Sequence, residues 1–402
     1  MKMTDLVGPV FFKMRNVIQD YAWGSVTSIQ TLFGIENPQA KPQAEIWMGA
    51  HSNGCSEIEV ADEPTLLSDF IATNPDAILG ADTQIQFGEL PYLFKVLAAE
   101  KALSIQVHPS KAQAEVGFAQ EEQAGIAHNA GHRNYKDPNH KPELVFALTA
   151  YQAMNGFRDI ADIVAQFEQL NIAQINGLVS ALAGEQNEAG LRAFFQAMLS
   201  LDGEIKETAV NSLMAYANEQ HDDALFALIV DLAEQYPGDI GLFVPLMLNV
   251  LTLQPGEAMF LDACTPHAYI KGTGLEIMAN SDNVLRAGLT PKHMDVEELV
   301  ANTLFVAKPA DTLLMEPTVS EGGEHYAIPV PDFKFSVYKN VTSALTLHNT
   351  SAEILFAVDA PLTLAHENGE SVTVGKGESV FVPAYANAYQ VSGEGRFARA
   401  YN

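Results

Sequence analysis

Apolar and polar residues alternate over positions 103–109, and this alternation predicts a β-strand. The segment reads Leu-Ser-Ile-Gln-Val-His-Pro and contains two β-branched residues, which strands favour. Residues two apart on a strand point to the same face, so we expect Ser104, Gln106 and His108 to project together. A hydroxyl, a carboxamide and an imidazole on one face indicate a functional site. The alternative is a half-buried strand with a solvated polar face.

The hydrophobic pattern changes from strand-like to helical and back along the chain. Residues 7–60 contain short strand-like runs and turns, together with both tryptophans. From 159 to about 235 the apolar residues recur at helical spacing, whereas strand-like runs return from Phe243. After about Thr312 these runs alternate with Gly, Pro and Asn turns, which is typical of a sandwich or jelly roll. The sequence therefore predicts a mainly β protein with an inserted helical domain.

A long polar segment, residues 112–142, separates the first strand from an apolar run that begins at Glu143. It is rich in His, Asn and Gly, so we expect a loop, and long loops in compact domains are often functional. His140 and Lys141 lie close to Glu143 at the end of this segment. The density of imidazoles and cations favours a functional loop over a merely solvated one.

Two segments, 256–269 and 377–389, resemble each other. Both read Gly-Glu, a strand with a central Phe, a short turn and a polar residue before Ala-Tyr, which predicts two barrels of one type. The polar residue is His267 in the first copy and Asn387 in the second, and an amide is a poorer metal ligand than an imidazole. Residues 312–402 also contain no Gln-x-His pair, so we expect the second barrel to be structural and free of metal.

The composition narrows the possible partners and location. A chain of 402 residues exceeds one ordinary core, so two or three domains are expected. Its formal net charge of −28 disfavours nucleic acids and anionic membranes as partners. Two cysteines give no disulfide framework, and we find no signal peptide or membrane-spanning run, so we expect a cytoplasmic protein.

Four residues of suitable chemistry could form one metal site. Two imidazoles, a carboxylate and a carboxamide can bind zinc, and the chain offers Gln106, His108, Glu143 and His267. One anionic ligand leaves the ion a net charge near +1, which keeps it a good Lewis acid. The alternative is that both histidines are ordinary core residues and that Glu143 lies in an ion pair.

A second cluster of charged residues follows His267. It consists of Glu276, Asp282, Arg286 and Lys292. Arg286 and Lys292 could hold a phosphate group. In a chain with only 22 Lys and Arg residues, cations this close to a candidate metal site indicate more than surface charge.

The chain resembles the type I phosphomannose isomerases over nearly its whole length. Five motifs carry the resemblance: Tyr-Ala-Trp-Gly at 21–24, Ala-Glu-Ile-Trp-Met-Gly at 44–49, Leu-Ser-Ile-Gln-Val-His-Pro at 103–109, Asn-His-Lys-Pro-Glu at 139–143, and the stretch from Pro-His-Ala-Tyr to Leu-Thr-Pro-Lys at 266–292. The resemblance implies a zinc-dependent interconversion of mannose 6-phosphate and fructose 6-phosphate. It also implies a cupin catalytic domain, a helical domain and a second cupin-like jelly-roll barrel.

The resemblance assigns roles to individual residues. It places one zinc ion per chain on Gln106, His108, Glu143 and His267, and the catalytic arginine on Arg286. The reaction would move a proton between C1 and C2 through a cis-enediol, with Arg286 stabilising the enediolate. Four residues are candidates for the base, and the sequence leaves the choice open: His140, Lys141, Glu276 and Asp282. The expected substrate contacts are Ser104, Lys95, Lys292, Tyr269 and Trp23.

Four segments are expected in the domain organisation. Residues 1–158 and 238–310 would form the catalytic cupin domain, 159–237 the helical domain and 311–402 the C-terminal cupin-like barrel without metal. We expect a monomer or a weak homo-oligomer that acts on a sugar phosphate.

Two other functions fit part of the pattern. A non-catalytic, metal-containing sugar-binding or regulatory protein is one of them, but it would not need acid–base groups beside the metal. An iron cupin oxygenase is the other, and it would use two His and one carboxylate with open positions. Gln106 as a fourth ligand disfavours the oxygenase.

Overall fold

The computed structural model describes residues 8–402, and the chain divides into two compact units. The first unit contains the described residues up to Ala98 together with Thr273–Asn280 and Met315–Asn402. The second unit contains Ala99–Gly272 and Ser281–Leu314. Each unit is therefore assembled from segments that are far apart in the sequence.

Strands outnumber helices among the regular elements of residues 8–402, as the alternating pattern predicts. Their bounds are β1 (Phe12–Lys13), β2 (Val17–Gln19), β3 (Glu45–Met48), β4 (Glu57–Val60), β5 (Glu63–Leu66), β6 (Tyr92–Ala99), β7 (Gln106–Val107), β8 (Glu143–Ala147), β9 (Tyr151–Phe157), β10 (Leu248–Leu253), β11 (Ala258–Leu261), β12 (His267–Ala279), β13 (Leu285–Arg286), β14 (Thr318–Ser320), β15 (Gly323–His325), β16 (Lys334–His348), β17 (Glu353–Ala357), β18 (Leu362–Ala365), β19 (Ser371–Val374), β20 (Ser379–Val382) and β21 (Ala388–Tyr401).

The longer helices are concentrated between β9 and β10. In chain order the helices are α1 (Ser28–Phe33), α2 (Leu67–Thr73), α3 (Pro75–Leu79), α4 (Ala81–Gln86), α5 (Lys111–Gln123), α6 (Ile160–Leu170), α7 (Asn176–Gly184), α8 (Glu188–Leu199), α9 (Gly203–Glu219), α10 (Ala224–Gln235) and α11 (Val296–Ala301). Short 3₁₀ turns lie at Ile240–Leu246, Ala310–Thr312 and Ala384–Ala386. Within residues 8–402 each helix is too short or too polar to cross a bilayer.

Helices α6–α10 form the insertion that the helical periodicity predicts. In α6, Ile163, Val164 and Phe167 lie on one face and are buried. The side chain of Asp159 caps the helix by accepting a hydrogen bond from the N–H of Ala161. The mainly β fold with a helical insertion is therefore confirmed.

The long polar segment is only partly a loop, and this part of the prediction was wrong. Helix α5 occupies its first third, and in it only Ala114, Gly117 and Glu121 are buried. Such a helix has no apolar stripe, so the spacing of apolar residues does not reveal it. Its start is fixed by a capping box, in which Ser110 and Gln113 satisfy each other's backbone N–H groups.

The first unit contains a sheet that joins the beginning of the chain to its end. Its strand order is β1-β20-β17-β21-β16-β15-β14. In the ladder between β1 and β20, Phe12 lies opposite Phe381. A second group in this unit pairs β2 with β3 and β3 with β6.

In the second unit the candidate ligands lie on paired strands or directly beside them. Strand β7 pairs with both β12 and β13, while β8 pairs with β11. Ile105 and Val107 are fully buried in an apolar core that continues into the inserted helices through Phe167 and Phe195. The apolar face of the first predicted strand therefore anchors the segment, although only Gln106–Val107 has strand pairing.

Candidate active site

Three candidate metal ligands come together in the second unit. Glu143 is the first residue of β8, His267 is the first residue of β12, and His108 directly follows β7. All three side chains are buried, and one donor atom from each lies within 4.8 Å of the others. Nε2 of His108 lies 3.3 Å from Oε1 of Glu143, and Nε2 of His267 lies 3.5 Å from Oε2. This is the donor set of a zinc site.

Backbone carbonyls fix the orientation of both imidazoles. Nδ1 of His108 lies 2.6 Å from the carbonyl oxygen of Asn283, and Nδ1 of His267 lies 2.9 Å from that of Thr265. A carbonyl can only accept, so both rings carry their proton on Nδ1 and present Nε2 to the cluster. Nε2 of His108 is buried and has no hydrogen-bond partner among residues 8–402, as a metal-binding nitrogen requires.

The charge states of the cluster also suit a metal. Burial lowers the pKa of His108 to about 4, so its imidazole is neutral at physiological pH. Burial alone would raise the pKa of Glu143, but nearby Lys141 holds it well below its usual range. Nζ of Lys141 lies 3.4 Å from Oε1 of Glu143. The cluster thus offers the neutral nitrogen of His108 and one carboxylate.

Tyr269, expected to contact substrate, is buried, and its hydroxyl donates to Oε2 of Glu143 at 2.5 Å. This bond holds one oxygen of the carboxylate.

Gln106 lies at the register position shared by two other candidates. In the strand ladders it is opposite both His267 and Arg286. It is half-buried, as is Ser104 two residues earlier. Its role as a fourth ligand stays a prediction.

Arg286 belongs to a small group of cations. Burial lowers the pKa of its guanidinium, and burial together with Arg286 and Lys136 lowers the pKa of Lys292. Lys136 was not predicted as a site residue, although its place in the His-rich segment of a Lys-poor chain could have identified it.

Asn283, which the sequence analysis also did not single out, joins two segments that carry candidate residues. Its Oδ1 accepts from the N–H of Lys136 at 2.6 Å, and its Nδ2 donates to the carbonyls of Asp137 at 2.7 Å and Asn139 at 2.8 Å. The next residue back, Asp282, donates its N–H to Oδ2 of Asp137 at 2.7 Å. The segment leading to His140 is thereby fastened to the segment that holds Asp282.

Three predicted site residues, Lys95, Glu276 and Trp23, lie in the first unit. Lys95 is buried, with Nζ 3.2 Å from Oε2 of Glu276 and 3.6 Å from Oε1 of Glu45. The same Nζ lies 5.1 Å from the ring of Trp47. Trp23 stacks on Tyr21 instead, with 5.7 Å between ring centroids. Lys95 and Glu276 thus form an ion pair, which the sequence does not predict because the two residues are far apart in it.

Family models match most of the chain. The catalytic domain of type I phosphomannose isomerase matches residues 11–160, and its helical insertion domain matches 164–248. The cupin domain of mannose-6-phosphate isomerase matches residues 323–402. The expectation of a catalytic domain, a helical domain and a C-terminal cupin domain is confirmed.

Curated relatives and solved structures agree with these matches. The chain is 48% identical to the mannose-6-phosphate isomerase of Salmonella typhimurium over 97% of this chain and 99% of the relative. The human mannose-6-phosphate isomerase is 36% identical over 88% of both chains. A crystal structure of zinc-bound mannose 6-phosphate isomerase superposes with a TM-score of 0.93 at 47% identity, covering 98% of this chain and all of the other. The chain belongs to the type I phosphomannose isomerases.

Proposed function

We propose that this protein interconverts mannose 6-phosphate and fructose 6-phosphate with one zinc ion per chain. The observation that carries the proposal is the buried cluster of His108, Glu143 and His267, in a chain nearly half identical to a mannose-6-phosphate isomerase. Together with Gln106 as the fourth ligand, these residues would hold the ion. When bound, zinc supplies Lewis acidity to the carbonyl and hydroxyl oxygens of the sugar.

The protein's own side chains perform the proton transfer. The reaction removes a proton from one of C1 and C2 and returns it to the other, which requires one positioned base. His140, Lys141, Glu276 and Asp282 are the candidates that we retain. Replacing each of them by an isosteric neutral residue, and measuring the pH dependence of kcat, identifies the base as the variant that loses turnover while keeping zinc.

Cations balance the charge that develops on the substrate. Arg286 stabilises the enediolate, where negative charge exceeds that of the open-chain sugar. Lys292 and Lys136 add positive charge beside it, and we assign the phosphate group to this side of the site. Ser104 and Lys95 supply further polar contacts, and Tyr269 holds the ligand Glu143 in place.

A coupled assay of the purified protein tests the proposal. Mannose 6-phosphate is supplied, fructose 6-phosphate is detected, and the protein is assayed as isolated, after chelation, and after zinc is returned. We expect turnover that chelation abolishes and zinc restores. A folded, zinc-loaded protein that does not turn over mannose 6-phosphate would instead be a binding or regulatory protein.

We also propose a cytoplasmic enzyme that is a monomer or a weak homo-oligomer. The absence of a disulfide framework in the sequence supports the location. Cell fractionation and sedimentation velocity at several concentrations test the two statements.

A further inference from the structure

The internal repeat extends to the strand that carries the metal-binding carboxylate. Strand β8 reads Glu-Leu-Val-Phe-Ala, and β17 reads Glu-Ile-Leu-Phe-Ala. Glu143 lies opposite Leu261, and Glu353 lies opposite Val382. Leu261 and Val382 are equivalent positions of the repeat, so the two glutamates are equivalent as well.

Hydrogen bonds repeat with the sequence. Oε2 of Glu257 accepts from the N–H of Gln254 at 2.7 Å, and Oε2 of Glu378 accepts from the N–H of Gly375 at 2.6 Å. The tyrosine that ends each repeat also has the same partner. Tyr269 donates to Glu143 at 2.5 Å, and Tyr389 donates to Glu353 at 2.8 Å. The second copy has therefore kept the frame that holds the carboxylate.

The nitrogen ligands have not been kept. Asn387 replaces His267. In the first copy His267 lies opposite Gln106, and in the second the carbonyl of Asn387 accepts from the N–H of Asn349 at 2.9 Å. Asn349 therefore takes the place of Gln106, and the residue two further on, which is His108 in the first copy, is a serine in the second. Both imidazoles of the donor set are therefore lost, whereas a carboxylate at Glu353 and a carboxamide at Asn349 remain.

In the second copy the guanidinium of Arg399 contacts the carboxylate of Glu353. Nε of Arg399 donates to Oε2 of Glu353, and both side chains are buried. A second nitrogen of Arg399 donates to the carbonyl of His348 at 2.7 Å. A buried carboxylate without a counter-charge is strongly unfavourable, and the guanidinium of Arg399 supplies that charge here.

We propose that the C-terminal domain contains a converted metal site, in which the guanidinium of Arg399 replaces the divalent cation of the first copy. The Glu353 carboxylate and the Tyr389 hydroxyl correspond to those of Glu143 and Tyr269 in the first copy, while the cation is an arginine side chain and not a bound metal ion. The Glu353 carboxylate is therefore balanced by a cation without metal, and the C-terminal domain does not form a second catalytic centre. Once the guanidinium is removed, the donors around the vacated position are oxygens of Glu353, Tyr389 and His348, a set that suits a hard ion such as Mn²⁺.

The test is a Mn²⁺ titration of zinc-loaded Arg399→Ala, followed by electron paramagnetic resonance and thermal unfolding. We expect one Mn²⁺ per chain beyond what the wild type binds, and a rise in Tm on its addition. The matched control is Glu353→Gln combined with Arg399→Ala, which lacks the carboxylate and should bind no additional Mn²⁺. Equal Mn²⁺ binding by folded Arg399→Ala and by the wild type overturns the proposal.

A second comparison covers the case in which Arg399→Ala does not fold. Arg399→Met leaves the Glu353 charge unpaired, whereas Glu353→Gln with Arg399→Met removes both charges at similar volume. We expect the double variant to unfold at a higher temperature than Arg399→Met and to keep the wild-type zinc content and isomerase activity. A double variant no more stable than Arg399→Met shows that the guanidinium does not balance Glu353, and this outcome also overturns the proposal.

Discussion

At the scale of single residues, the histidine ligands are oriented by main-chain rather than side-chain groups. The carbonyls of Asn283 and Thr265 accept from the Nδ1 atoms of His108 and His267. Any residue can supply a carbonyl, so the path of the backbone matters here more than the side chain that it carries. Substitutions that shift this backbone should therefore weaken metal binding, even where the substituted residue does not contact the metal.

His108→Ala should lose zinc and activity while keeping the fold. The substitution removes one of the three clustered donors, and the strand beside it is anchored by Ile105 and Val107. Zinc per chain, measured by mass spectrometry and compared with the circular dichroism spectrum, checks this result. His128→Ala is the matched control, because His128 is exposed beside Glu122. Full zinc occupancy in His108→Ala would remove this residue from the metal site.

Asn283→Ala should weaken zinc binding by about 10–100-fold, the usual effect of losing a group that orients a metal ligand. Its side chain holds the segment around Asp137 and Asn139 against the carbonyl that orients His108. Competition with a chelator of known affinity measures the change. Asn37→Ala is the control, since Asn37 also fastens a loop through carbonyl contacts, to Val26 and Lys41. Equal zinc affinity in the two variants would contradict the positioning role.

Arg286→Ala should lower kcat more than it raises KM. A donor aimed at the enediolate contributes mainly in the transition state, and its loss typically costs about 10²–10³ in rate. Arg286→Lys should restore only part of the rate, because an ammonium lacks the planar fork. Steady-state kinetics with mannose 6-phosphate decide the role. A near-normal kcat with a raised KM would reassign Arg286 to the phosphate group, and unchanged kinetics would remove it from the site.

Individual residues differ in how far the sequence reveals them. Gln106 and His108 are recognisable because they are two apart in a segment of alternating apolar and polar residues. His267 is found through its repeat and the family motif, since the pairing that brings it to Gln106 spans most of the second unit. The ion pair of Lys95 with Glu276 and the bonds of Asn283 depend on tertiary contacts, for which the sequence contains no local pattern.

At the scale of elements, periodicity identifies structure only where one face is apolar. The inserted helices are predicted because their apolar residues recur every third or fourth position. Helix α5 is missed for the opposite reason, since its own apolar residues do not gather on one face. The pattern Ser-x-x-Gln at 110–113 is a capping-box sequence and a local indication of this helix.

Ser110→Ala should lower the free energy of unfolding by about 1 kcal/mol, the usual effect of removing an N-cap side chain. The Ser110 hydroxyl accepts from the N–H of Gln113 at 3.3 Å, and alanine leaves that group without this partner. Urea denaturation measures the loss. Ser180→Ala, in the exposed middle of α7, is the control and should be neutral or slightly stabilising. Equal midpoints for both variants would show that the cap contributes nothing.

At the scale of the whole molecule, compact units and predicted domains do not coincide. The chain passes from one unit to the other within β12, between Gly272 and Thr273. The predicted domains are consecutive stretches of sequence, whereas strand pairing brings residues that are far apart in the sequence into one compact unit. The boundaries at 158, 237 and 310 therefore stay a prediction.

The stability of the metal-free protein should fall between pH 6.5 and pH 4. The pKa of His108 is about 4 in the folded protein, against an ordinary value of 6.5. Between these values the unfolded chain binds a proton that the folded protein does not bind, so stability increases with pH. Urea denaturation across this range should show a steeper pH dependence for the wild type than for His108→Asn. Identical slopes for the two proteins would contradict the low pKa.

The ladder between β1 and β20 places a constraint on biosynthesis. Phe12 leaves the ribosome long before its partner Phe381, because the two residues are far apart along the chain. At about 5–20 residues per second, the first strand waits roughly 20–70 s for its neighbour. Throughout this interval its backbone N–H and C=O groups lack their final partners. The nascent chain therefore exposes an unpaired strand until Phe381 has been made, and the ladder between β1 and β20 can form only after that.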